Sequence, residues 1–259
     1  MLGILSPEIL ILCSAAFVAG FIDAIVGGGG LVQTPATLVT LPQYNLATLI
    51  GTTKIPAFVG TSIATVQYAK RVALQWKLLL GMSAVAFIAS FMGSVTVSHI
   101  SNTFMKPIMF CVLILVVIYT YTNKNFGTAT TKGRTLKQEL IYGTLFSIAV
   151  GFYDGFIGPG TGSFLIVFFI SILGFDFLKA SAHAKFVNLA TNLGSICFFS
   201  LSGNILFNYA IPMAICNLSG SFLGARLAIL KGNKFIRVFF LIVVSGTIIR
   251  FGYDIFIKK

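Results

Sequence analysis

Residues 20–35 read GFIDAIVGGGGLVQTP and residues 151–167 read GFYDGFIGPGTGSFLIV, and these two stretches govern how the chain folds. Both contain runs of glycine, and the second also contains a proline. An interior glycine costs a helix about 1 kcal/mol relative to alanine, and a proline costs about 3 kcal/mol. We therefore expect a helix to break in each stretch and a new helix to begin at about Leu31 and about Ser163.

The rest of the chain is too apolar for a water-soluble domain. Hydrophobic residues make up 57% of its 259 residues and charged residues only 9%, with a mean hydropathy of +0.97, whereas about a quarter of the residues in soluble domains are charged. Eight stretches approach the length of about 20 apolar residues that a membrane-spanning helix needs: 8–26, 46–68, 77–98, 104–122, 139–157, 177–200, 205–229 and 235–256.

Two further apolar runs, at 31–41 and 162–173, are too short for a straight crossing, and each follows a glycine cluster. Such segments are typical of half-helices or re-entrant segments in transporters. The sequence thus predicts an all-α integral membrane protein with 8 to 10 segments in a single domain, 1–259.

The two halves of the chain are internal repeats. Shifting the sequence by 131 positions aligns them without a gap, and the matches fall on glycine and on rare polar residues, as expected for a duplication. The repeats cover 1–122 and 139–257, joined by a basic loop, 123–138, that we expect to be cytoplasmic. The matched pairs are Gly20 with Gly151, Phe21 with Phe152, Asp23 with Asp154, Gly27 with Gly158, Gly29 with Gly160, Lys54 with Lys185, Met82 with Met213, Ser90 with Ser221, Gly93 with Gly224, and Phe104 with Phe235.

The loop charges predict that the repeats are inverted. The net charge is +12, and we attribute it to lysine and arginine retained in cytoplasmic loops, so we expect no nucleic-acid partner. The loop at 69–77 is basic and its counterpart LSGN is uncharged, whereas LKGNKFIR is more basic than its counterpart SHISNTFMK. Opposite charge bias favours two inverted repeats, each of about four long helices plus one short segment, over parallel repeats. The terminal Lys258 and Lys259 weigh against inversion.

The helix starts after the breaks are candidate anion sites. Their first N–H groups lack helical partners and carry partial positive charge, and inverted repeats would bring the two starts together near the membrane midplane. The alternative is that these glycines allow tight helix packing. The candidate contacts are Gly28, Gly29, Gly30, Gly160, Thr161 and Gly162.

Lys54 and Lys185 lie about eight residues into their spans, hence about 12 Å along the helix. A charge at that depth is costly unless it faces a cavity or a partner, which favours a functional role; snorkelling to the interface is the alternative. Thr52 is close to the first lysine, and Asn188 and Asn192 share a helix face with the second. These polar groups could bind a solute or join neighbouring helices.

Asp23 and Asp154 precede the glycine breaks by four residues and are two of only six acidic residues. They could pair with the lysines, bond to the broken backbone, or couple transport to protons. We expect no metal site and no cofactor, because the four cysteines are widely separated and no phosphate-binding G-x-x-x-x-G-K-[ST] loop is present.

The paired GFIDAIVGGGG and GFYDGFIGPGTG motifs, with GTTK and HAKFVNLATN downstream, resemble the TauE/SafE family of sulfite and organosulfonate permeases, also called the TSUP family. The resemblance covers essentially the whole chain. It implies a multi-pass transporter of the inner membrane that moves a small sulfur-containing anion. The second motif departs from the first at Pro159 and Thr161, which predicts unequal half-sites.

We therefore expect a permease for a small anion, in contact with membrane lipid and able to form a homo-oligomer. An anion channel and a permease for a different solute are the alternatives. An intramembrane enzyme is disfavoured, because the chain has neither a G-x-S-x-G nor an H-E-x-x-H motif.

Overall fold

A computed structural model of the chain describes residues 6–99 and 135–256. The predicted span at 104–122 and all but the end of the basic loop 123–138 lie outside these residues. The described part is all-helical and contains eight helices: α1 (Pro7–Val26), α2 (Gly30–Thr40), α3 (Leu46–Ala69), α4 (Trp76–Ser98), α5 (Leu136–Phe156), α6 (Thr161–Ser171), α7 (Phe177–Leu201) and α8 (Phe207–Phe256).

Polar side chains begin several of these helices. Asn45 accepts the N–H of Thr48 at 2.8 Å at the start of α3, and Asp176 accepts the N–H of Lys179 at 2.8 Å at the start of α7. Thr135 and Gln138 form a reciprocal capping box before α5. Such caps satisfy amide groups that the helix itself leaves unpaired.

Four described helices are long and apolar enough to cross a membrane: α1, α3, α4 and the Phe207–Phe240 part of α8. The helices α5 and α7 have 21 and 25 residues, but more polar sequences. The helices α2 and α6 have 11 residues each, or about 16 Å, roughly half of a 30 Å hydrocarbon core. Short helices therefore lie where short segments are predicted.

The last two predicted spans are joined without a loop. The sequence predicts separate spans at 205–229 and 235–256, and the structure agrees in that α8 is interrupted between them at Gly232, whose φ of 66° and ψ of −161° are not helical. Because glycine adopts positive φ without steric cost, one residue is enough to redirect the chain and no loop is needed.

The helices pack as two groups, and each group contains the fourth helix of the other half of the chain. The fourth helix of the first half, α4, packs against α5 and α7 of the second half, while α8 packs against α1 and α3 of the first. We call α1, α2, α3 and α8 the first bundle, and α4, α5, α6 and α7 the second bundle. The bundles meet mainly where α3 crosses α7.

Small residues permit the close packing inside each bundle. Gly224 of α8 faces the backbone of Phe21 in α1, and Gly155 of α5 faces the backbone of Ser90 in α4. Glycine at such contacts lets two helix backbones approach in a membrane, where apolar burial supplies little driving force. The bundles therefore behave as compact units built from both halves of the sequence.

Candidate functional site

A cavity of about 50 Å³ lies between the two bundles, at the level of both glycine breaks. It is bounded by the ends of α1 and α5, the starts of α2 and α6, and the middle of α3, α7 and α8. Its lining comprises Asp23, Gly27, Gly29, Gly30, Gln33, Thr34, Thr53, Lys54, Ala57, Asp154, Ile157, Gly158, Gly160, Thr161, Gly162, Asn188, Asn192 and Asn217.

The chain leaves the helix at both breaks, and the breaks touch each other. Gly27 ends α1 with a φ of 76°, and Gly158 and Gly160 have φ of 91° and 87° between α5 and α6. The N–H of Ser163 donates to the carbonyl of Gly27 at 3.1 Å, and its hydroxyl donates to Val26 at 2.8 Å. An N–H group at the start of α6 is thus paired with a carbonyl at the end of α1. The opposite partial charges of the two helix ends also attract each other.

Lys54 of α3 forms a buried ion pair with Asp154 of α5. Its Nζ lies 2.7 Å from Oδ2 of Asp154 and donates a second bond to the backbone carbonyl of the same residue at 2.7 Å. Both side chains line the cavity, and each is at most 5% exposed. A buried charge is tolerated only when it is paired and hydrogen-bonded, and this pair meets both conditions.

Lys185 of α7 forms the matching pair with Asp23 of α1. Its Nζ lies 2.7 Å from Oδ2 of Asp23 and also donates to the Asp23 backbone carbonyl. Asp23 faces the cavity and its side chain is 18% exposed, whereas Lys185 is fully buried behind it and does not line the cavity. Each pair joins one bundle to the other. The two lysines and the two aspartates together carry no net charge.

A row of amide side chains forms the first bundle's side of the cavity. Asn217 of α8 donates to Oε1 of Gln33 at 3.0 Å, and Gln33 of α2 donates to the backbone carbonyl of Thr53 at 3.3 Å. The repeat does not mark Gln33 and Asn217, because their counterparts at the same offset, Phe164 and Ala86, are apolar. The polar QTP triplet after the glycines was the available signal for Gln33.

Asn188 and Asn192 form the facing side of the cavity, on α7. Nδ2 of Asn192 donates to the backbone carbonyl of Asn188 at 2.9 Å. Asn188 is 6% exposed and lines the cavity, and no hydrogen bond within 6–99 or 135–256 involves its Nδ2. A buried amide donor without a protein partner is suited to a bound solute or water.

Several predicted contacts lie elsewhere. The hydroxyl of Thr52 donates to Thr48 at 2.6 Å and accepts the N–H of Leu206 at 3.0 Å, so it joins α3 to the start of α8. Gly28 packs near Val243 and Leu31 instead of lining the cavity. The structure brings together the other predicted contacts, apart from Lys185: Gly29, Gly30, Lys54, Gly160, Thr161, Gly162, Asn188 and Asn192.

The comparisons with known proteins identify the family. A family model described as "Sulfite exporter TauE/SafE" matches residues 12–251. The chain belongs to the TauE/SafE family. Relatives of this chain are named as probable membrane transporter proteins, and with the family this makes it a multi-pass membrane transporter and not an enzyme.

Three TauE/SafE relatives illustrate the similarity. A probable membrane transporter protein, ORF9, of a Sinorhizobium species is 34% identical over 93% of this chain and 90% of its own length. One from Haemophilus influenzae is 34% identical over 94% of both chains. The probable transporter YfcA of Escherichia coli K12 is 32% identical over 98% of this chain and 93% of its own length. No solved structure matches the chain.

Proposed function

We propose that this transporter is a secondary permease that moves a small anion, a sulfur oxyanion or an organosulfonate, across the inner membrane. The observation that carries the proposal is the cavity at the two breaks, because it combines one lysine, two helix starts and several amide donors. The name of the matching family model supports a sulfur oxyanion as the substrate class.

The size of the cavity favours a small solute. Its volume of about 50 Å³ is several times the roughly 10–15 Å³ that one water needs on a comparable measure. A pyramidal or tetrahedral oxyanion with a short substituent suits such a space, whereas a nucleotide or a sugar would require the bundles to separate.

The donors around the cavity favour an anion. Lys54 presents an ammonium, Gly30 and Gly162 lie at the starts of α2 and α6, where backbone N–H groups lack helical partners, and Asn188 presents Nδ2. Charge-assisted and backbone donors at helix starts are the groups that bind oxyanions in proteins generally. The unequal breaks, with Pro159 only in the second, make the two half-sites different.

We also propose that the two halves are inverted repeats. The direction of the helices supports this: contacts of Phe17 with Gly220 and of Phe21 with Gly224 make α1 parallel to α8. Contacts of Gly60 with Asn217 and of Gln67 with Phe222 make α3 parallel to α8 as well. In the same way α5 runs parallel to α4, which follows α3 after a short turn and so runs back along it. By this chain of contacts, α1 and its counterpart α5 run in opposite directions.

Transport by purified protein in proteoliposomes tests the function. We expect saturable uptake of radiolabelled sulfite or methanesulfonate, reduced at least tenfold by Lys54→Ala and several-fold by Asn188→Ala. Lys70→Ala is the matched control, because Lys70 is an exposed lysine at the end of the same helix. Equal uptake in empty vesicles, or full activity of both cavity variants, would contradict the proposal, and single-channel currents would identify a channel instead.

A further inference from the structure

The two ion pairs look equivalent in sequence but differ in the structure. Lys54 and Asp154 both line the cavity, so a solute can reach the contact between them. In the other pair only Asp23 lines the cavity, and Lys185 lies behind it with no exposed surface. A bound anion can therefore approach the ammonium of Lys54 but not that of Lys185.

The two carboxylates also differ in how many donors hold them. Asp23 accepts from Lys185 at 2.7 Å, from the hydroxyl of Thr61 at 3.4 Å and from the N–H of Gly29 at 3.4 Å. Asp154 accepts from Lys54 alone among the residues that the structure describes. Asp23 is therefore held by three donors, whereas Asp154 depends on a single partner.

Charge balance connects this asymmetry to transport. The two pairs are neutral together, so an anion that enters the cavity adds an uncompensated negative charge in a region of low dielectric constant, which is costly. If the anion pairs with Lys54, it must displace Asp154, and a buried carboxylate without a cation is also costly. Protonation of Asp154 removes both costs at once.

We infer that the transported anion replaces the Asp154 carboxylate at Lys54, and that Asp154 takes up one proton as it is displaced. This inference rests on the proposed anion transport. The proton comes from water on the side that the cavity faces, Lys54 keeps its own proton throughout, and Asp154 releases the proton when the anion leaves. One proton then travels with each monovalent anion, and the cycle carries no net charge.

The other titratable groups near Asp154 are consistent with this assignment. Tyr153, on the same helix, donates its hydroxyl to the carbonyl of Pro159. Asp23 and Lys185 across the cavity are paired with each other. Among the described residues no second cation lies within ion-pair distance of Asp154, so the anion and the carboxylate compete for Lys54.

The test uses the full-length protein in proteoliposomes with methanesulfonate, which stays monovalent at every pH used, and with sulfite. An external medium one pH unit more acidic than the interior should drive accumulation of methanesulfonate up to about tenfold, since one proton per anion transmits the whole gradient. A membrane potential imposed with potassium and valinomycin should have no effect. Accumulation driven by the potential alone in the wild-type protein would overturn the inference.

Variants locate the proton. Asp154→Asn mimics the protonated form, so uptake should continue down a concentration gradient, lose its response to the pH gradient, and respond to an inside-positive potential. Asp154→Glu should restore the response to pH. Asp23→Asn combined with Lys185→Met removes the matching pair without leaving a buried charge, and should keep the pH response; loss of that response in this double variant with retention in Asp154→Asn would overturn the assignment.

The two proposals fail in different ways. If neither sulfite nor methanesulfonate is transported by the folded wild-type protein, the proposed function is wrong. If either is transported without any response to the pH gradient, the function stands and the coupling is wrong. If only sulfite is transported, the charge of sulfite itself also changes with pH. That change is the same for the wild type and for Asp154→Asn, so the difference between the two proteins measures the coupling.

Discussion

The buried ion pairs are a stability requirement as well as a functional feature. Removing one partner of a buried pair leaves an uncompensated charge and costs about 3–5 kcal/mol, whereas removing both costs much less. Lys185 is the better residue for this measurement, because it is fully buried and lies outside the cavity. The effect of replacing Lys185 on stability can therefore be separated from the loss of a contact with a solute.

We predict that Lys185→Met lowers the stability of the purified protein by about 3–5 kcal/mol, and that Lys185→Met with Asp23→Asn recovers more than half of the loss. Denaturant unfolding in detergent measures both values, and the double-mutant cycle gives the coupling between the two residues. Additive losses would mean that the two side chains do not form a pair in the membrane protein.

The contact between Gly27 and Gly162 leaves no room for a side chain. A Cβ at Gly162 would lie 2.5 Å from the Cα of Gly27, in the backbone of the other break, which cannot move aside as a side chain could. We predict that Gly162→Ala abolishes transport and lowers the melting temperature. Gly81→Ala is the control, because its nearest neighbour is Cδ2 of Leu140 at 3.4 Å, and melting curves of the two proteins in detergent test the difference.

Individual residues were predictable from the sequence where duplication marked them. Asp23, Lys54, Asp154 and Lys185 recur at one offset, and the sequence predicts lysine as one of the possible partners of the aspartates. The partner of each lysine was not predictable, because it lies in the other half of the chain. Asn217 was not predictable, because its counterpart at that offset, Ala86, is apolar.

The half-length helices and the breaks before them were predictable, since consecutive glycines are incompatible with a stable helix. Their placement was not: the start of α6 meets the end of α1 through Ser163, which is a contact between halves. A break between residues 229 and 235 was predictable from the polar stretch LKGNKFIR, but not that it consists of the single residue Gly232.

Packing within a bundle is extensive, so we expect each bundle to move as a rigid unit during transport. Ser90 of α4 and Ser195 of α7 lie in the second bundle with their hydroxyl oxygens 2.8 Å apart. In a protein whose native cysteines are replaced, we predict that Ser90→Cys with Ser195→Cys forms a disulfide on oxidation and that uptake is unchanged. Uptake assayed before and after reduction tests this, and a loss on oxidation restored by reductant would show that α4 and α7 move apart.

The relation of the two halves decides the topology of the whole protein. Inverted repeats place the loop after α3 and the matching loop after α7 on opposite sides of the membrane, whereas parallel repeats place them on the same side. Ala73 and Ser202 are exposed residues in these loops. Their labelling therefore distinguishes the two arrangements without any assumption about substrate.

We predict that Ala73→Cys reacts with an impermeant maleimide only from the cytoplasmic side and that Ser202→Cys reacts only from the opposite side. The positive charge around residue 73 favours its cytoplasmic location. Labelling of intact cells against inverted vesicles measures the difference, in a background without native cysteines. Reaction of both positions from one side would mean that the repeats are parallel.

The exchange of α4 and α8 between the bundles has a consequence for the origin of the fold. A single half on its own leaves its fourth helix without the partner against which that helix packs. Two identical copies inserted in opposite orientations would supply each other with that partner. With the inverted repeats proposed above, this exchange is what the fusion of a dual-topology homodimer into one chain would leave.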